Sequence, residues 1–330
     1  MHARTVRAMT AGAALLLGAA AAQADEPPPV DQGALVRGFA LPQLGRPGIL
    51  AGGTDSLRLD LSEVNEFAAK ANLSESLFAD GEATQLSLDY RRGLGSGWEA
   101  GLYAPLLIQG GGILDSTIEG WHDLWGLPNG SRQNFPQNRY RFEYVRNKKT
   151  VLDVSQGSAG LGDLQLGLGR RLDQCLALRG MLQLPTGDAS HLGGNGAFGG
   201  ALWLDGELPL HLQSRWLRGW SVQVSGGVGY TGGGQVLPQM QKHVLPFGAV
   251  GLQYRISQRW SAGLQVYLHD SPYRNSELAP LTRVAAPLTA RLSWRAAPRT
   301  TLHLGFQEKA SVLASPDFGV FLGVAFGAPG

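Results

Sequence analysis

"GLGDLQLGLGRRLDQCLALRGMLQLPTG", residues 160–187, carries an apolar residue at nearly every second position. Leu164, Leu166 and Leu168 share one side of an extended chain, and Leu176, Leu178, Leu182 and Leu184 share one side of the next stretch. Asp163, Gln165, Arg171, Arg179 and Gln183 fall on the other side. A period of two is the mark of a β-strand, because successive Cβ atoms point to opposite faces. Whether protein or lipid lies against the leucines decides the class of the molecule.

The same alternation recurs in "SLRLDLSEV" (56–64), "TQLSLDYRR" (84–92), "RYRFEYV" (139–145), "ALWLDGELPLHLQ" (201–213), "WSVQVSGGVGY" (220–230) and on through "DFGVFLGVAF" (317–326). Glycine is in excess, 47 of 330 residues, without a collagen period. At roughly 1 kcal/mol of helix destabilisation each, these glycines argue against a helical protein and suit strands that bend or pack closely. Net charge is +2, and it falls to about zero without Arg4 and Arg7, so no basic face for nucleic acid is present. Cys175 is the only cysteine, which excludes a disulfide framework and a cysteine zinc site.

The ends of the chain point to export. Arg4 and Arg7, the apolar "AMTAGAALLLGAAAA" (8–22) and the small-residue site Ala22–Ala24 read as a signal peptide over 1–24, with Asp25 opening the mature chain. No later apolar run is long enough for a transmembrane helix. Residues 25–50 lack the alternation and form a separate N-terminal segment, periplasmic or plug-like; 51–330 is the strand-forming region.

Short connections ("RRGLGSG", "RNKK", "RRLDQ", "SRWLRG", "ISQ", "RAAPR") alternate with long ones near 64–81, 108–136, 187–199, 231–243 and 271–285. Short turns on one side and long loops on the other are the pattern of an all-β, antiparallel, up-and-down transmembrane barrel. Threading gives about fourteen strands, or twelve if 149–156 belongs to a loop or 35–42 replaces a strand. Trp98, Trp220, Trp260 and Trp294 fall beside short turns, as an interfacial girdle would. A closed sheet leaves no edge and needs no second core. The leucines of 160–187 are therefore expected to face hydrocarbon.

The opposite faces then line a lumen of mixed charge. Arg58, Arg91, Arg141, Arg171, Arg179, Arg255, Arg291 and Arg295 stand against Asp60, Asp89, Glu99, Glu143, Asp163, Asp205 and Glu207. Such balance predicts either a cross-lumen ion-pair network that fills the barrel or a weakly selective polar channel, not the one-sign rings of an ion-selective pore.

The densest loop, "QGGGILDSTIEGWHDLWGLPNGSRQNF" (109–135), sets Leu114, Ile118, Trp121 and Trp125 at helical spacing, with Asp115, Glu119 and His122 along another side. A short amphipathic helix here could fold into the lumen as a constriction (Asp115, Glu119, Trp121, His122, Trp125) or rest on the membrane surface. A solvated acidic face is its ordinary explanation, and no partner nucleophile makes His122 catalytic. His269, in "VYLHDSPY" (266–273), meets a loop at the height where barrel lipases keep Ser–His chemistry, but adjacent strand residues point to opposite faces, which separates it from Asp270. "GVGYTG" (227–232) lacks the helix a dinucleotide site requires. No cofactor and no metal site is expected.

Three blocks, "QGGGILDSTIEGWHDLWGLPNGSR…RYRFEY", "GLGDLQLGLGRRL…LPTGD" and "FQEKASVLASPDFGVFLGVAF", resemble the DUF3187 family of bacterial outer-membrane barrels. The first is the specific one; the second is shared loosely with other barrels. The tail resembles the strand that barrel-assembly machinery reads, departing from it in the overhang after Phe326. The resemblance implies a barrel in the outer membrane of a Gram-negative bacterium, in contact with lipid and lipopolysaccharide and inserted by that machinery, and implies no activity or oligomeric state. The expected function is a passive, porin-like channel for small molecules; the alternatives are a lipid- or lipopolysaccharide-modifying enzyme and a structural barrel with a filled lumen.

Overall fold

The computed structural model describes residues 30–126, 134–210, 219–309 and 316–327. The signal peptide expected over 1–24 lies outside them. Among these residues are strands β1 (Asp55–Ala71), β2 (Glu75–Gly95), β3 (Trp98–Gly110), β4 (Arg141–Arg146), β5 (Lys149–Val154), β6 (Ser158–Leu161), β7 (Leu164–Asp173), β8 (Leu176–Leu184) and β9 (Gly199–Pro209). β10 (Trp220–Thr231), β11 (Val244–Arg255), β12 (Trp260–His269), β13 (Pro287–Ala297), β14 (Thr300–Lys309) and β15 (Phe318–Gly327) complete the set. Helix α1 spans Asp115–Trp125 and α2 spans Ala279–Thr282.

Twelve strands close a ring in the order β1, β2, β3, β7 and then β8 through β15, and β15 pairs back onto β1 from Ser56↔Gly327 to Asn65↔Phe318. Every pairing is antiparallel, so no edge is left in the wall. Of the other three strands, β6 continues the line of β7 along β3, from Leu106↔Leu161 to Gln109↔Ser158, and β4 and β5 lie beyond the ring. β1 and β2, of 17 and 21 residues, overrun the roughly 9–11 residues that cross a bilayer. They stay paired to Ala71↔Ser76, so the segment 64–81, expected as a loop, is a projecting hairpin. Because β3 pairs with β2 only as far as Glu82↔Gly110, the overhanging edge of β2 is bare, and β4 covers it through Glu75–Asp80, with β5 added outside β4. This produces the count of twelve, the smaller of the two expected.

The leucines of β7 and β8 stand outside the ring. Leu166, Leu168 and Leu182 are 45%, 50% and 47% exposed. They continue into a belt with Leu202, Leu204, Val250, Leu264, Leu304 and Leu322, all exposed. An apolar belt of this extent is what a hydrocarbon layer covers. At the short-turn rim Trp260 stacks on its cross-strand neighbour Trp294 at 5.9 Å, Trp220 on Tyr254 at 4.6 Å, and the Arg170 guanidinium sits 5.0 Å from the Trp98 ring. These amphipathic rings mark the interface.

Inside the ring runs residues 30–50. A chain without a sheet partner must still satisfy its backbone groups, and the polar inner face does so strand by strand. Leu50 N donates to Glu99 at 2.9 Å near the short turns, Gly45 N to Asp205 at 3.0 Å at mid-height, and Ala34 N to Glu66 at 2.8 Å towards the loops. Carbonyls accept likewise, Leu44 from Gln265, Pro42 from Tyr267 and Gly38 from Gln183. The segment's apolar side chains choose one side: Val36, Leu41 and Leu44 pack with Trp203, Phe247 and Tyr267 of β9, β11 and β12.

Towards the loops a second apolar cluster joins Leu35 and Phe39 to Leu77, Phe142, Tyr144, Tyr273 and Leu281. This reverses one expectation. Phe142 and Tyr144 turn inward and are buried, whereas Arg141 and Glu143, expected to line the lumen, stand on the other face of β4, pairing with each other at 3.0 Å, and Arg141 also pairs with Asp153 at 3.4 Å. Above the lipid both faces are wet, and the apolar one goes to the core.

Candidate functional site: the occupied lumen

Alternation puts the inward charges at successive heights, and the N-terminal segment ties them together. Arg179 is the hub. Its guanidinium pairs with Glu99 and, at 3.1 Å, with Asp205, and also donates to Arg46 O at 2.8 Å and Gly48 O at 2.7 Å. Arg58 pairs with Asp60 at 2.7 Å and donates to Gln43 at 2.6 Å; Asp60 also accepts from His303. Asp89 is held by Arg46 of the segment. Asp205 is fully buried, accepting from Trp203, Ser225 and Gly45 N as well. These are charge-assisted bonds made by both partners while desolvated, which is the condition for a buried ion to be tolerated.

The other residues expected to face inward spread along the wall. Arg91 lies 3.6 Å from Glu99, Arg171 donates to Ile49 O at 2.6 Å, and Arg291 donates to Gln253 at 3.3 Å. Asp163, in the break between β6 and β7, accepts from Gly187 N and Gln183 and so pins the loop after β8. Arg255, Arg295 and Glu207 stand near the short-turn mouth, Arg255 exposed and the other two half-buried.

The loop expected either to constrict the lumen or to rest on the membrane surface starts on the outer face of the wall. Asp115 accepts from Asn65 at 3.2 Å and from Asn138 N at 2.8 Å, and Glu82 accepts from Ile113 N and Leu114 N. Asn65 and Glu82 are cross-strand neighbours on the outward register that carries Leu61 and Leu86 lower down. Glu119 accepts from Gln137 at the surface. The side chains of Trp121, His122 and Trp125 lie outside the described residues.

His269 is buried, with Nε2 3.0 Å from Asp31 and Nδ1 2.9 Å from Asp270 O. The Ser271 hydroxyl donates to Leu281 O, not to the imidazole. His269 therefore anchors the far end of the segment. In the loop beyond β8, outside the membrane-crossing strands, the Ser190 hydroxyl and His191 hold the Asp188 carboxyl down at about 2. No group of three or more metal-ligating residues occurs among the described residues.

Sequence reasoning left residues 25–50 as either periplasmic or plug-like and named no residue within them. Gln43, Arg46 and the backbone of 32–50 have no period to betray them. A signal existed in the wall: inward positions such as Gly169 and Gly229 carry no side chain, and a Cβ there would lie 2.8 Å from Ile49 Cδ1 and 2.5 Å from Ala40 O.

A closed antiparallel ring, apolar outside and polar within, is the architecture of an outer-membrane β-barrel. The chain belongs to the DUF3187 family, described as proteins of unknown function, which it matches over residues 15–328. Among solved structures it is similar to the COG4313 outer membrane channel of Pseudomonas putida F1, with a TM-score of 0.54 and 15% identity over 87% of this chain and 100% of that one. Looser likenesses are the translocator domain of the autotransporter NalP from Neisseria meningitidis (TM-score 0.48, 8% identity, 84% and 90% covered) and the NanC porin (0.44, 11%, 82% and 98%). These are likenesses of fold. No curated protein matches the sequence.

Proposed function

We propose that the protein is a passive, porin-like channel of the outer membrane of a Gram-negative bacterium, in which residues 30–50 narrow the lumen. The observation that carries this reading is the polar inner wall enclosing a segment that is joined to β1 but is not itself a strand of the ring. A purely structural barrel would be served by wall side chains packed on one another. On the same reading the chain is exported by the signal peptide over 1–24, inserted by barrel-assembly machinery, and surrounded by outer-membrane lipid and lipopolysaccharide. The fold likeness to an outer membrane channel supports this class without assigning a solute.

Conductance across planar bilayers tests it. Deleting residues 30–50 is expected to raise single-channel conductance several-fold over the intact protein. Silence from both forms, each shown by circular dichroism to be a folded barrel, removes the channel reading.

A further inference from the structure

Inward-facing glycines of the wall differ in what a side chain there would meet. Gly169 and Gly229 are forced by the close approach of the N-terminal segment. Gly101 and Gly167, directly paired across β3 and β7, are not forced by anything. A Cβ on Gly101 would sit 3.5 Å from Arg91 Cγ and Tyr90 O, and one on Gly167 would find nothing nearer than 3.9 Å, both ordinary contacts. Neither has a positive φ. Glycine in a strand weakens it, so two adjacent glycines that neither packing nor backbone demands leave one physical effect, a hollow in the inner wall.

The hollow borders the segment's apolar contacts only at Trp203 and Met181. Leu41 and Leu44 lean on β9, β11 and β12, and on the β2–β3–β7 side two cavities remain, of about 80 Å³ and 50 Å³. The first contains Gly101 and Gly167 and extends down to Arg91 and Glu99; the second extends up to Asp31 and Gly193 by the loops. Since a water needs about 10–15 Å³ on this measure, each holds several. Both are bounded by Gln43, Tyr103 and Gln165, and the Tyr103 hydroxyl accepts from Gln85 at 2.8 Å, which fixes the ring between them. Charges of both signs face the two spaces, Arg91 and Glu99 below, Arg37 and Asp163 above. A solute carrying an ammonium and a carboxylate finds a charge of opposite sign for each at both levels, beside apolar surface from Leu102 and Met181 below and from Phe39 and Leu41 above.

Resting on the channel reading above, we propose that small zwitterions of about the size of glycine pass beside residues 30–50 while that segment stays in place. Gly101 and Gly167 keep their route open, and Tyr103 is the bar that narrows it.

The test uses full-length protein in liposomes and bilayers, with Cys175→Ser to remove the exposed native thiol. Gly167→Cys is measured before and after reaction with a methanethiosulfonate carrying a trimethylammonium group, so that one folded sample is its own control. Labelling, counted by mass spectrometry, is expected to cut the glycine swelling rate several-fold, and Tyr103→Ala is expected to raise it several-fold. Full labelling with an unchanged rate overturns the route, as does a thiol that never reacts. If the protein lacking 30–50 conducts while labelled Gly167→Cys and Tyr103→Ala match their parents, the route fails and the channel stands. If no form conducts or swells, both fail.

Discussion

At the scale of single residues, Arg179 shows how the lumen is held. One guanidinium serves two carboxylates, Glu99 and Asp205, and two carbonyls of the segment. Arginine suits this position because its planar fork offers five donors at fixed angles. Arg179→Ala removes the guanidinium that faces the fully buried Asp205, and unfolding by urea in detergent, followed by tryptophan fluorescence, is expected to show a loss of about 3–5 kcal/mol. A loss below about 1 kcal/mol, the scale of exposed pairs, would mean that the cluster is hydrated and the segment loosely held. That Arg58, Asp60, Asp89, Glu99, Arg179 and Asp205 point inward was legible from the two-residue period alone. Their partners were not, because alternation fixes a direction and says nothing about what waits there. The carbonyls of Arg46 and Gly48 carry no side-chain signature at all.

Elements repeat the lesson with a different cause. The strand β4 alternates as clearly as β8 does, yet its apolar face turns inward and its charged face outward. Periodicity separates two faces without naming the solvent on each, and only position relative to the bilayer supplies that name. Arg141 and Glu143 therefore leave the lumen and form a half-exposed cluster with Asp153. Arg141→Ala and Glu143→Ala are expected to change stability by less than about 1 kcal/mol and to leave conductance at the wild-type value. A change in ion selectivity in either variant would put the hairpin back over the pore. The helix α1 was legible as an amphipathic element, and its location was not. The carboxylate of Asp115 found Asn65 and Asn138 N on the outside of the wall, a tertiary choice that helical spacing does not encode.

For the whole molecule, stability depends most on the match between the outer belt and hydrocarbon. Leu204, near the middle of β9, is 43% exposed on the outer face. Leu204→Arg is expected to destabilise the barrel in vesicles by about 2–4 kcal/mol, the depth-dependent cost at a bilayer midplane, read from urea unfolding in lipid. An arginine tolerated there without cost would mean that the belt is covered by something other than lipid. The barrel class and the belt were readable at this scale because they repeat along the strands of the ring. The strand number was harder, since it turned on where β2 outran β3.

The parity of crossings decides on which side each chain end emerges. Twelve wall strands alone would return both chain ends to the same face, and Asp55 and Gly327 do lie together at the short turns. Residues 30–50 add one more traverse, from Ile49 beside Arg171 to Asp31 beside His269 at the loop end. The count becomes odd. Val30 and Gly327, the first and last described residues, therefore lie at opposite rims of the barrel, one facing each compartment.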